Sequence, residues 1–261
     1  MQVVSHAQTH VGLIRQVNED ACLELPELGI WAVADGMGGH AAGDVASQLV
    51  VDAVKTAVLS VRDGVVTKEL LIETLQEANA SLQRYSRDQL EGNTAGTTVV
   101  VLFLEKTQFH LLWVGDSRGY ILRNEFLKQT TRDHSQVTEM VEQGLLTEEE
   151  AEHHECANVI TRAIGVDTDV EVDVISGECS PGDIFLLCTD GLNKEIPDVE
   201  IKRYLQEADV MEAGMALLHS TLVSGARDNV TYVIVEVKGL QEDELANNET
   251  EKTIPVLNKT L

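Results

Sequence analysis

Five aspartates stand where apolar runs of this chain stop, each beside glycine or another small residue. They lie in Asn18-Glu19-Asp20, Asp35-Gly36-Met37-Gly38-Gly39-His40, Gly115-Asp116-Ser117-Arg118, Thr189-Asp190-Gly191-Leu192 and Arg227-Asp228-Asn229. An ionised carboxylate at the end of a buried strand is costly unless it is paired or holds a metal. Glycine beside it permits a sharp turn and leaves backbone carbonyls and amides open. Few cations lie nearby in the sequence, so the set suggests carboxylates converging on hard cations. Mg²⁺ and Mn²⁺ favour all-oxygen shells that keep several waters. A single Asp-Gly after a strand is more often a turn than a ligand. Asp20 can cap a turn, and Asp116 can pair with Arg118. Spacing alone leaves turn and ligand both open.

The elements that must position these residues follow from periodicity. Apolar or alternating runs predict strands at 3–8, 21–25 and 29–35, then at 97–105, 108–114 and 119–124. Further strands are expected at 169–176, 183–190 and 230–238. Apolar residues at helical spacing predict helices over about 43–61 and 67–90, and again over 196–208 and 210–222. The polar stretch 131–165 should hold one or two short helices. Strands are grouped with strands and helices with helices, without the strict alternation of a parallel sheet. That order predicts an α+β fold of antiparallel sheets with helix pairs packed outside. After Lys238 the composition turns polar, so one domain at 1–238 and a polar tail at 239–261 are expected.

Composition narrows the function. The 261 residues carry 19 Lys and Arg against 44 Asp and Glu, a net charge of −25. Nucleic-acid binders need cations to displace counterions, and anionic membrane surfaces attract basic segments, so neither partner is expected. Hydrophobic residues make up 43% of the chain, enough for a core and unlike a disordered acidic tail. The start MQVVSHAQTH has no basic and apolar leader, and no apolar run approaches the roughly 18 residues of a membrane span. Cys22, Cys156, Cys179 and Cys188 show no CxxC spacing. A cytoplasmic location with reduced thiols is expected.

In order along residues 5–237, the motifs resemble those of the metal-dependent PPM/PP2C family of bacterial Ser/Thr protein phosphatases. The matching blocks are Arg15 to Asp20, Val33 to Gly43, Gly96-Thr97-Thr98, Val114 to Arg118, Thr131 to Ser135, Asn158 to Gly165, Cys188 to Leu192 and Ala226 to Thr231. The resemblance implies a four-layer α-β-β-α sandwich of two antiparallel sheets flanked by helix pairs. It implies that Asp35 bridges two Mn²⁺ or Mg²⁺ ions, that the Gly36 carbonyl binds one, and that Asp190 and Asp228 complete the protein ligands. Glu19 and Asp20 would hold metal-bound waters, and Asp116 with Asp190 would hold a weaker third metal. Arg15 would bind the substrate phosphate, and His40 would protonate the leaving oxygen. Residues of about 145–161 correspond to the family's variable flap, expected to help select substrates. The implied reaction is hydrolysis of phosphoserine and phosphothreonine by a water or hydroxide between the two metals. The implied partners are phosphorylated proteins, a bacterial Ser/Thr kinase and its targets among them, met by a monomer. A non-catalytic phosphoprotein adaptor on the same fold is the alternative. No cysteine sits in an HCxxGxxR loop, which argues against a cysteinyl-phosphate route.

Other signals carry less. Residues 167–178 place acidic groups like a calcium loop, but Val172 stands where that turn needs glycine. His153-His154-Glu155-Cys156 lacks a second ligand pair and is expected to be solvated. His134 is expected to serve a structural hydrogen bond. Gly36 to Gly39 lacks the Lys-Ser/Thr of a nucleotide cradle. Trp31 and Trp113 are expected in the core, as is the Cys188 thiol.

Overall fold

Alternate residues of the long strands go to different cores, and this sets the layering. In β3 (Ile30–Met37), Ile30, Ala32 and Ala34 join one buried cluster with α1 (Gly43–Ser60) and α2 (Lys68–Gln89). Trp31 and Val33, between them in sequence, join a second cluster shared with Phe185, Leu187, Val233 and Val235 of the opposing sheet. β5 (Val99–Glu105) and β6 (Gln108–Val114) divide their residues in the same way. On the other side, β10 (Ile184–Cys188) and β11 (Val230–Gly239) send Leu186, Cys188, Tyr232 and Ile234 to a third cluster. That cluster is shared with α6 (Asp198–Glu207) and α7 (Val210–Ser224). Both faces of each sheet are therefore covered, which is why these antiparallel strands read as unbroken apolar runs. The result is the expected four-layer α-β-β-α sandwich. Trp31 and Trp113 lie between the sheets and Cys188 is fully buried.

The computed structural model describes residues 2–38, 42–61, 65–91 and 93–239. His40 lies outside the described residues, as does the expected tail beyond Gly239, the last residue of β11. One sheet has the order β1-β11-β10-β7-β8, adding β1 (Gln2–His10), β7 (Arg118–Arg123) and β8 (Phe126–Gln129). The other has the order β2-β3-β5-β6-β9, with β2 (Asp20–Leu25) and β9 (Asp173–Glu178) at its edges. The two-residue β4 (Gly96–Thr97) pairs with the end of β3. All strand pairings among the described residues of both sheets are antiparallel.

The structure departs from the sequence reading at several points, and the strand expected at 183–190 ends at Cys188, with Asp190 opening a short helix instead. The strand expected at 169–176 forms at 173–178: Val170 is buried against the helix-side core from a loop, and pairing with β6 begins only at Asp173. β8 went unread because it has four residues behind a two-residue turn, Asn124-Glu125, with φ of 49° and 66°. That turn suits a hairpin without the usual glycine. β3 runs two residues past Asp35, because Gly36 and Met37 pair with β4. The polar stretch holds two short helices, α3 (Gln136–Glu142) and α4 (Glu148–Glu152). Its return leg is pinned by Gln136 N–H donating to the Val159 carbonyl and Thr161 N–H to the His134 carbonyl, both at 2.8 Å. No helix among the described residues is long and apolar enough to cross a membrane.

Candidate active site

Antiparallel pairing of β2 with β3 sets Asp20 directly opposite Asp35. Like charges facing one another across a sheet destabilise it, so the register itself marks the place as built for something else. By strand alternation both carboxylates follow Trp31 and Val33 onto the inter-sheet side. Asp190 comes from the end of the other sheet, one residue after the fully buried Thr189 that follows β10, at the first position of α5 (Asp190–Asn193). Asp228 comes from the turn before β11 and Asp116 from the turn between β6 and β7. The sandwich thus gathers residues distant in the chain at one end of the inter-sheet seam.

The local chain explains how each is held. The Asp35 amide donates to Thr98 Oγ1 at 3.1 Å, while the Thr98 amide and Thr97 Oγ1 donate to the Asp35 carbonyl at 2.9 and 2.8 Å. Gly36 has no room for a side chain: a Cβ there would meet the Gly43 carbonyl and, at 2.6 Å, the Glu19 carbonyl. Thr189 Oγ1 donates to Asp20 Oδ2 at 2.9 Å. The buried Asn229 ties down the 11–19 loop. Its Nδ2 donates to the Val11 and Val17 carbonyls at 2.9 and 3.0 Å, and its Oδ1 accepts from the Glu19 amide at 2.8 Å.

Electrostatics show the convergence. Burial raises Asp35 well above the ordinary aspartate range, and Asp20, Asp190, Asp116 and Asp228 each push it further. Asp20 is pushed up to about 7, chiefly by burial, against the opposing hydrogen bonds of Thr231 and Thr189. Asp116 is likewise pushed up to about 7 by burial and then by Asp190. Glu19 is raised by burial, although Arg15 and the Gly43 amide draw it down. Among the described residues, no three His, Cys, Asp or Glu side chains already close around one point. The donors gathered here among the described residues are all oxygen, which suits hard divalent cations.

Two cations stand at the rim. Arg15 pairs with Asp228 at 2.7 Å, both side chains partly exposed. Lys194, which the sequence did not single out, donates to Asp190 Oδ2 at 2.5 Å and to Asn158 Oδ1 at 2.6 Å. The pairing of Asp116 with Arg118 does not form. Arg118 instead forks onto Asp133, with Nε and Nη2 at 2.8–3.1 Å, and donates to Tyr120 Oη at 3.0 Å, leaving Asp116 to the cleft. His134 accepts from the Gly115 amide at 3.0 Å through Nδ1 and meets Asp173 at 3.3 Å through Nε2, the structural role expected of it. His153 is exposed. Asn229 lay within a noted motif, but only its three bonds reveal its work. Lys194 carried no pattern at all.

The protein phosphatase 2C family model matches residues 11–227. The serine/threonine phosphatase Stp of Listeria monocytogenes is 37% identical over 243 residues, covering 88% of this chain and 95% of its own length. The structure of PppA from Pseudomonas aeruginosa superposes with a TM-score of 0.80 at 39% identity, covering 90% of this chain and 98% of that one. The catalytic domain of the phosphatase PstP, solved in complex with two manganese ions, gives a TM-score of 0.82 at 34% identity, covering 91% and 99%. With its carboxylates gathered at one end of a matching sandwich, the chain belongs to the protein phosphatase 2C family.

Proposed function

We propose that the chain hydrolyses phosphoserine and phosphothreonine in proteins, using divalent cations held at the seam. The observation that carries this reading is Asp20 facing Asp35 in register, with Asp190, Asp116 and Asp228 all acting on Asp35. Such a concentration of charge is unfavourable in the bare chain and is offset when cations bind. Asp35, the Gly36 carbonyl, Asp190 and Asp228 are the proposed direct ligands, and Glu19 and Asp20 would orient waters around them. Manganese is favoured because PstP was solved with two such ions. Bound there, divalent cations supply an acidified water and neutralise phosphoryl oxygens.

The remaining work falls to the chain. Arg15 offers a planar fork that lysine lacks, and it would exchange Asp228 for two oxygens of the incoming phosphate. On a chain of charge −25, that local cation offsets repulsion of a dianionic substrate. Asn229 keeps the 11–19 loop, and Arg15 with it, in register with Asp228. His40 is proposed to protonate the departing seryl or threonyl oxygen. The Ser/Thr preference rests on the relatives' names, and a Ser/Thr kinase is the proposed opponent. Residues 1–238 are proposed as one catalytic domain acting as a monomer.

Phosphate release from phosphothreonyl and phosphotyrosyl peptides, with Mn²⁺ or with EDTA, tests this. Manganese-dependent release from phosphothreonine is expected. Equal release in EDTA, or cleavage of phosphotyrosine alone, would refute it.

A further inference from the structure

Beside Asp116 and Asp190 the chain already carries a cation. Lys194 caps α5, one turn after Asp190, so its ammonium folds back onto Asp190 Oδ2. Its second partner, Asn158 Oδ1, comes from the flap at 2.6 Å. The same ammonium lies within electrostatic reach of Asp116 and Asp35. An exposed pair four residues apart on a helix would mean little. Here, however, the Asp190 side chain is only 16% exposed, and the third participant belongs to another segment.

An ammonium offers three donors and a fixed positive charge. It satisfies Asn158 and the Oδ2 of Asp190, leaves Asp190 Oδ1 to the two-ion site, and repels a further divalent ion brought between Asp190 Oδ2 and Asp116. The resemblance assigned Asp116 and Asp190 to a third, weaker metal, and the residues present do not fit that assignment. We infer that Lys194 stands in for the third ion: its ammonium neutralises the Asp116–Asp190 edge, so the chain holds two divalent ions, and the Lys194–Asn158 bond ties the flap to the site. This inference rests on the two-cation reading above. It makes flap anchorage independent of a weakly held ion, so free Mn²⁺ concentration would set occupancy of the site but not the position of the flap. Lys194 is a positioning residue in this account.

Mn²⁺ is titrated calorimetrically into the metal-stripped full chain and its variants, with hydrogen exchange followed at residues 156–160. The wild type is expected to bind two ions. Lys194→Met should bind three, the third more weakly, and Lys194→Arg, which keeps the charge, should bind two. Adding Asp116→Asn to Lys194→Met should return the count to two. In metal-free Lys194→Met, exchange at 156–160 should be roughly tenfold faster than in the wild type, as expected for loss of one charge-assisted hydrogen bond. Three ions in the wild type would overturn the inference. So would two ions in a Lys194→Met chain whose circular dichroism shows it folded, or unchanged exchange at 156–160 in that chain. No binding by any variant, the wild type included, would instead overturn the two-cation reading beneath it.

Discussion

Replacing Asp35 by Asn should move activity and stability in opposite directions. Asp35 faces Asp20 across the β2–β3 pair and is pressed by three further aspartates. Removing its charge relieves repulsion, so metal-free Asp35→Asn should melt above the metal-free wild type in a calorimetric scan. The same change removes the proposed shared ligand, and phosphopeptide turnover should fall by at least about a hundredfold. An equal or lower melting temperature would show that the carboxylates do not repel as described. Asn229→Ala is the complementary case. It strands the Val11 and Val17 carbonyls and the Glu19 amide, and should cost about 1–3 kcal/mol in urea denaturation. It should also weaken Mn²⁺ binding, because the loop bearing Glu19 and Asp20 loosens. At this scale the sequence was informative where a residue carried its own signal. Each of the aspartates stood beside a small residue, whereas Lys194 and Asn229 act through partners 36 and more than 200 positions away. No spacing rule reveals such pairs.

Among the elements, α4 is the most separable. It is an exposed five-residue helix held by a capping box in which Glu150 N–H donates to Thr147 Oγ1 and the Thr147 amide donates to Glu150 Oε2. Thr147→Ala should cost about 1 kcal/mol locally, quickening hydrogen exchange at 148–152 while the global melting temperature holds. A fall in global stability would mean that α4 is part of the cooperative core. The elements legible in the sequence were those with a long repeat. α1 and α2 begin and end within a residue or so of the periodicity, because their apolar stripes face one cluster. The apolar strands were legible for the opposite reason, being buried on both faces. β9 slipped because alternation at Val170, Val172 and Val174 does not distinguish a strand from a loop that happens to bury Val170. Asp35 was expected at a strand end, yet it lies inside β3 because β4, two residues long, is too short to read.

For the molecule as a whole, proton linkage follows from the raised carboxyls. Burial pushes Asp20 and Asp116 up to about 7 in the folded metal-free chain, well above the ordinary aspartate range. Between about pH 4 and 7 the folded state therefore holds more protons than the unfolded one, and these groups make metal-free stability fall as pH rises across that window. Cations bind the ionised forms, so Mn²⁺ uptake at pH 6 should release protons and at pH 8.5 should release almost none from these groups. Calorimetry at pH 6 in two buffers of different ionisation enthalpy reads the difference. Identical heats in both would contradict the raised values.

The central claim is spatial: Asp35, Asp190 and Asp228, drawn from both sheets, surround the same cations. Anomalous diffraction at the manganese edge from crystals saturated with Mn²⁺ addresses it most directly. Two peaks are expected beside the Asp35 carboxylate, one of them within ligand distance of Asp190 and Asp228. Well-ordered crystals with no peak at Asp35, or with manganese only at other surface acids, would contradict the account.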